Sequence, residues 1–395
     1  MPNDSFIEPS LAPSALLDEA RRLVPPIRDA RDLGERQRQL APPVLAAFHR
    51  ARLFHMLVPA DIGGLQVDPA TAMEVVETVS AADGATGWNL MIGAAYGVWG
   101  SRPARDVARQ VFGAPDAVLA GALRPTGTAR AVEGGFIVDG RWSFASGIGH
   151  SRWWCAGCVV HDGDAPRKTA GGADDRRLVF FPAADGGALI DTWDTAGLRG
   201  TGSHDYAVKG LFVPAERTLP PDAPSRLAEP LYRLPVMGLM DSVMATVPVG
   251  IARAAIDAFV ELAGGKQGHG LSTAQANRPT VQADVGRAEA VLRSARAWLY
   301  GTVEEAWAEV RAGREVAVKH TALMRLARAN ALTASVQAVD LMFTAAGGSA
   351  VYASHPIERC FRDVHVVAQH AALHPSNYEI CGRVMLGLPP DRASL

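Results

Sequence analysis

The densest group of chemically capable side chains lies near the C-terminus, where His365, His370 and His374 fall within twelve residues of Val364. Histidine titrates near neutral pH and serves as proton donor, base or metal ligand. His370 and His374 are spaced to share one helix face, as zinc ligands would be. The intervening sequence is His-Ala-Ala-Leu-His, however, and lacks the glutamate that a zinc protease places inside the pair as its base. Acid–base or structural roles are therefore expected, and no metal. Cys155-Ala-Gly-Cys158 also has a metal or redox spacing, but it sits in the apolar run Trp153 to Val160, and Cys360 and Cys381 form no second close pair. Ordinary packing is expected for it. A third constellation is Trp142-Ser-Phe-Ala-Ser-Gly147, followed by His150, which puts a hydroxyl and an imidazole around a glycine turn at the end of a strand-like run.

The elements that must position these groups change in character along the chain. Residues 1–116 read as helical, with Asp68-Pro69 opening a helix to about Ala82 and an apolar segment from Trp88 to Trp99. Residues 117–232 alternate in short apolar and polar runs. Phe136 to Phe144, Trp153 to Val160, Arg177 to Pro182 and Tyr206 to Val213 are the expected strands, with Asp162 to Asp175 a surface loop. Residues 233–395 return to helix in Val249 to Leu262, Pro279 to Ala312 and Val316 to Ala346, the last two long enough for a bundle. Helices, then strands, then helices make an α+β chain and disfavour a doubly wound parallel sheet.

Composition excludes several function classes. The 39 Lys+Arg nearly cancel the 41 Asp+Glu, so no single-sign field is expected to attract nucleic acid or anionic lipid. The start Met-Pro-Asn-Asp-Ser-Phe-Ile-Glu has no secretory pattern, and Trp88 to Trp99 is too short to cross a bilayer. With four sparse cysteines, a reducing cytoplasmic setting is expected. Gly197-Leu-Arg-Gly-Thr-Gly202 has the wrong spacing for a nicotinamide fingerprint, and no Walker loop or Gly-x-Ser-x-Gly elbow is present.

Four blocks together carry a family resemblance. They are Pro125-Thr-Gly-Thr-Ala-Arg-Ala; Gly134 to Trp153; Trp193-Asp-Thr-Ala-Gly-Leu-Arg-Gly-Thr-Gly-Ser-His-Asp205; and Ala345-Ala-Gly-Gly with Glu358-Arg-Cys-Phe-Arg-Asp363. In this order they resemble the acyl-CoA dehydrogenase superfamily over about Glu35 to Gly387. The resemblance implies an N-terminal helical domain, a middle β-barrel-like domain and a C-terminal four-helix bundle, assembled as a homotetramer or homodimer around flavin.

Within that superfamily the dehydrogenases need a carboxylate base, commonly after the Arg-Asp signature. Here that stretch is Gln369-His-Ala-Ala-Leu-His-Pro; Asp241 is the only acid near the alternative position on an earlier helix. The hydroxylating branch is more similar: it has Trp-x-Phe-x-Ser-Gly in the strand and a histidine after Arg-Asp, matched by Trp142 to Gly147 and by His370. That resemblance implies a two-component, flavin-dependent monooxygenase acting with O2 on a small, indole- or phenol-like substrate. Reduced FAD or reduced FMN would diffuse from a separate NAD(P)H-dependent reductase and form a C4a-hydroperoxide. An acyl-CoA dehydrogenase or an amino-sugar N-oxygenase is the alternative.

The roles that follow assign His370 to proton balance and Ser146 to a hydrogen bond with flavin N5. Thr126, Trp142, Arg199, Thr201, Ser203, Gly347 and Gly348 lie in the matched blocks as cofactor contacts. Trp88, Met91, Tyr96, His150 and His374 are expected to line the substrate. Several hydroxylating relatives have a histidine near Tyr96; its absence here suits an electron-rich ring that needs no phenolate.

Overall fold

Two aspartates set the register of the helices that carry the first half of the site. Asp68 Oδ1 accepts the Thr71 N–H at 2.9 Å and starts α3 (Pro69–Ala82); Asp83 Oδ2 accepts the Thr86 N–H at the same distance and starts α4 (Gly84–Ala95). Each cap satisfies an amide that the first helical turn leaves unpaired. A computed structural model describes residues 13–265 and 275–388, so the outermost residues of the expected first and last segments lie outside it. Before α3 come α1 (Pro13–Gln37) and α2 (Pro42–Arg50), and α5 (Arg105–Phe112) ends the helical run.

The element type then changes to strands β1 (Leu119–Val132), β2 (Gly135–Ala145), β3 (Trp153–Asp162), β4 (Ala165–Pro166), β5 (Arg176–Pro182), β6 (Ala188–Ile190), β7 (His204–Pro214) and β8 (Thr218–Leu219). They form one sheet in the order β6-β7-β2-β1-β3-β5-β8, with β4 paired to β3. Only β1 and β3 run parallel; the β1–β2 hairpin and the remaining pairs are antiparallel. The expected loop from Asp162 to Asp175 thus contains the short β3–β4 hairpin.

Among the described residues five further α-helices follow: α6 (Val236–Gly265), α7 (Pro279–Arg311), α8 (Val318–Ala346), α9 (Pro356–Val367) and α10 (Asn377–Met385). The helix expected over Val249 to Leu262 begins earlier, and Pro248 does not start it. It lies inside α6 instead. Packing overrides the break: Gly250 lies so close to α3 that a Cβ there would sit 2.5 Å from the Glu77 carbonyl oxygen. By length and hydropathy, Val236–Gly264 could cross a bilayer, yet 72% of its apolar window is buried inside the fold.

The buried apolar residues form two bodies. One runs continuously from Phe48 and Val76 through Trp88 to Val243, Leu299 and Val339, so the helices before and after the sheet share a core. The other lies on the sheet around Trp142, Trp154 and Tyr206. The mixture of helices with a separate, mainly antiparallel sheet is the α+β class.

Candidate functional site

Trp88, Ser146 and His370 come from the first helices, the sheet and the last helices, and they meet. The Trp88 indole Nε1–H donates to Ser146 Oγ at 2.9 Å. The same indole packs edge-on against the His370 ring, with centroids 5.4 Å apart. Trp88 and Ser146 are 5% and 6% exposed, so the contact lies in a largely water-free setting.

Ser146 is delivered by an irregularity in β2. The pairing of β2 with β7 shifts register between Trp142 and Ala145, and Phe144 adopts a left-handed backbone with φ 65°. Such a bulge re-aims the side chains beyond it. Trp142 stays inside the sheet core, stacked on Tyr206 at 5.1 Å, while its Nε1–H donates to the Gly157 carbonyl at 2.8 Å. Trp142, expected as a cofactor contact, thus has its polar atom and its ring engaged within the sheet. The outward aromatic is Phe144, 74% exposed, with its ring edge-on to Trp193 at 6.3 Å.

Beyond Ser146 a file of hydroxyls continues. Ser146 Oγ lies 2.7 Å from Ser203 Oγ, Ser203 Oγ lies 2.7 Å from Thr201 Oγ1, and Thr201 Oγ1 donates to the Leu198 carbonyl at 2.8 Å. Three anchors fix the turn that carries Thr201 and Ser203. The Gly147 N–H donates to the Thr201 carbonyl at 3.0 Å, Asn89 Nδ2 donates to the Gly200 carbonyl at 2.9 Å, and the Leu198 N–H donates to Asp363 Oδ1 at 2.6 Å. Burial, reinforced by nearby Asp83, pushes the Asp363 pKa up to about 7.

The Arg-Cys-Phe-Arg-Asp signature thus works as a clamp. Asp363 holds the hydroxyl turn, Arg359 donates to Asp32 and Glu35 at 2.6 Å each, and Arg362 donates to Glu35 at 2.7 Å and to the Ala196 carbonyl at 2.8 Å. The motif was visible in the sequence; its partners on α1 were not.

His370 follows α9 in a tight turn. The Ala372 N–H donates to His370 Nδ1 at 3.3 Å, which places the proton of the neutral ring on Nε2. Burial pushes its pKa down to about 4, so the ring is neutral at pH 7. Asn377, 1% exposed, pins this turn: its Nδ2 donates to the Ala371 and His374 carbonyls at 3.0 and 2.7 Å, and its Oδ1 accepts from Arg325 Nε at 2.6 Å. Nothing in the sequence singled out Asn377.

The other expected residues are placed as follows. Met91 is fully buried in the core. Tyr96 is 4% exposed and donates its hydroxyl to the Gly121 carbonyl at 3.0 Å. His150 lies on the other side of Gly147, packed near Phe54 at 6.0 Å, with Nε2 buried and unpartnered among the described residues and its pKa pushed down to about 4 by burial. His374 is exposed and accepts the Ser376 N–H at 3.2 Å, while His365 pairs with Asp340 at 2.9 Å. Arg199 donates to Asp194 and to the Thr195 carbonyl, both at 2.8 Å. Thr126 is exposed with its hydroxyl on the Arg141 carbonyl at 3.2 Å, and Gly347 and Gly348 are exposed where α8 ends. Asp241, the candidate dehydrogenase base, is buried in the bundle against Arg328 at 3.2 Å. Cys155 and Cys158 are buried thiols whose pKa values burial pushes up, in the case of Cys158 to about 12.

An exposed aromatic at Phe144, a hydroxyl at Ser146 and a neutral imidazole at His370 make a donor set that fits a flavin. That ring needs an apolar face and hydrogen-bond partners along one polar edge.

Comparison with known proteins agrees with this chemistry. Residues 242–375 match the family described as acyl-CoA dehydrogenase, C-terminal domain. The chain is 36% identical to indole-3-acetate monooxygenase of Pseudomonas putida, covering 92% of each chain. It is 31% identical to the flavin-dependent monooxygenase, oxygenase subunit HsaA, of Mycobacterium tuberculosis, covering 93% of this chain and 94% of that one. The structure of XiaF from Streptomyces sp., in complex with FADH2 and glycerol, superposes with a TM-score of 0.89 at 26% identity, over 97% of this chain and 98% of that one. The protein belongs to the acyl-CoA dehydrogenase superfamily, in its branch of flavin-dependent monooxygenases.

Proposed function

We propose that this oxidoreductase takes reduced FAD, with reduced FMN the alternative, from a separate NAD(P)H-dependent reductase and hydroxylates a small indole- or phenol-like substrate with O2. The observation that carries the proposal is the meeting of Ser146 and His370 at one buried indole, Trp88. The name of the HsaA relative, an oxygenase subunit, supports delivery of electrons by another protein. The Pseudomonas relative supports an indole, and XiaF, bound to FADH2, supports FAD. Reduced flavin, when bound, supplies the electrons that activate O2.

The protein's own residues then have separable tasks. Phe144 and Trp193 offer the apolar surface for the ring. Ser146, held by Trp88 and Ser203, would hydrogen-bond to its polar edge. His370 keeps a proton on Nε2 and is uncharged at neutral pH, so it would donate a hydrogen bond without attracting water as a cation would. Met91, Met240 and Met244 are buried in the same apolar body as Trp88. Asp241 is tied to Arg328, which argues against a free carboxylate base for acyl thioesters.

The test is to mix the protein anaerobically with reduced FAD, add oxygen with indoles or phenols, and measure hydroxylated product against hydrogen peroxide. Product from an indole or phenol supports the reading. Peroxide alone with every aromatic offered, together with bleaching of bound oxidised flavin by an acyl-CoA, would overturn it.

A further inference from the structure

The hydroxyl file beside Ser146 has only one way to arrange its protons. Each hydroxyl carries a single proton, an indole N–H only donates, and a carbonyl only accepts. Thr201 Oγ1 lies 2.8 Å from the Leu198 carbonyl, so the Thr201 proton is used there. The 2.7 Å contact between Thr201 and Ser203 must then be made by the Ser203 proton, and the 2.7 Å contact between Ser203 and Ser146 by the Ser146 proton. At the other end Trp88 Nε1–H donates into Ser146 Oγ at 2.9 Å. The file therefore runs in one direction, Trp88 to Ser146 to Ser203 to Thr201 to Leu198. All four side chains are buried, at 5%, 6%, 3% and 1% exposure, so water does not readily substitute for a member.

Ser146 is left with its proton engaged and one lone pair free. Toward a ligand it is an acceptor. We propose that this directed file makes the protein selective for the redox state of a flavin held at Ser146. It presents Ser146 Oγ to the N5–H that reduced flavin carries and sets a lone pair against the bare N5 of the oxidised form. The inference rests on the placement of flavin at Ser146 proposed above, and it makes Ser203 and Thr201 positioning residues that act through Ser146. It also gives a direction to the hydrogen bond with N5 that the sequence assigned to Ser146. Such selectivity suits an enzyme that receives its flavin reduced and must release it oxidised.

The test is a pair of titrations, one with oxidised FAD and one with reduced FAD under anaerobic conditions, giving the ratio of the two Kd values for each variant. Ser203→Ala removes the acceptor of the Ser146 proton. Thr201→Val removes the acceptor of the Ser203 proton, which can then turn to Ser146. Either change frees Ser146 to donate, so oxidised FAD should bind more tightly and the wild-type preference for reduced FAD should fall about ten-fold, or about 1.4 kcal/mol. Ser203→Thr keeps a hydroxyl and should keep the preference. Melting curves by circular dichroism identify any variant that fails to fold, and the other then decides.

An unchanged ratio in Ser203→Ala and Thr201→Val, with weaker reduced-FAD binding in Ser146→Ala, would overturn the polarity and leave the flavin placement standing. Wild-type protein that binds neither form would overturn the flavin placement and this inference with it.

Discussion

Removing the Ser146 hydroxyl has consequences that follow from counting donors. Among the described residues Trp88 Nε1–H donates to Ser146 alone, at 2.9 Å, and the indole is 5% exposed. In Ser146→Ala that N–H stays buried without an acceptor, at a cost of about 1–3 kcal/mol. Ser203 loses an incoming proton but still donates to Thr201 at 2.7 Å, so its loss is small. We expect Ser146→Ala to destabilise the fold by about 2 kcal/mol, roughly 30-fold in the folding equilibrium. Trp88→Phe removes the donor and part of the ring, and it carries a cavity penalty of its own. A double-mutant cycle isolates the contact: in Trp88→Phe the serine no longer satisfies a donor, so adding Ser146→Ala should cost about 1–2 kcal/mol less than in the wild type. Guanidinium unfolding followed by circular dichroism reads the four corners of the cycle. Costs that add within a few tenths of a kcal/mol would refute the buried Trp88–Ser146 contact, and with it the geometry on which the site is built.

Further outcomes follow from the same structure. His370→Ala should lower product formation on the order of 100-fold or more while peroxide accounts for the consumed reduced flavin, because a positioned proton donor contributes at least that much; unchanged product per reduced flavin contradicts the role. Asn377→Ala removes the two bonds that hold the His370 turn and the anchor on Arg325. It should shift product toward peroxide less than His370→Ala does, and a partition equal to wild type argues that the turn holds without it. The pH dependence of stability separates two opposed groups. His150 and His370 fold with pKa values of about 4, below their unfolded value of about 6.5, so their contribution is full above that value and falls as pH drops toward 4. Asp363 folds with its pKa raised to about 7, so its contribution is full below its unfolded value of about 4 and is lost as pH rises toward 7. Asp363→Asn keeps an oxygen for the Leu198 N–H but removes the second trend, so its melting temperature should climb more steeply with pH between 4 and 7 than that of the wild type. Parallel curves would contradict the raised pKa of Asp363.

Much of the fold was legible because its signals are local. Alternation marked β3, β5 and β7, and Asp-Pro followed by helical periodicity marked α3. The reading of α6 began too late, at Val249, because tertiary packing carries that helix through Pro248, with Gly250 pressed against the Glu77 carbonyl. The site was legible only as parts. Ser146 and His370 could be picked from their motifs, but the indole that joins them comes from α4, 58 residues before Ser146. The surroundings of Trp142 were illegible for a different reason. Simple alternation cannot reveal the bulge and the left-handed Phe144 that turn one aromatic inward and the other out. The clamp of Arg359, Arg362 and Asp363 and the brace at Asn377 depend on partners distant in sequence, and no pattern of spacing encodes those.

The most direct test of the proposed chemistry is the source of the oxygen atom in the product. Protein preloaded with reduced FAD is mixed with isotopically labelled O2 and an indole or phenol in unlabelled water, and the product is weighed by mass spectrometry. Incorporation of one labelled atom per product molecule is the predicted result. Product carrying oxygen from water, or desaturated product with no added oxygen, would contradict the account.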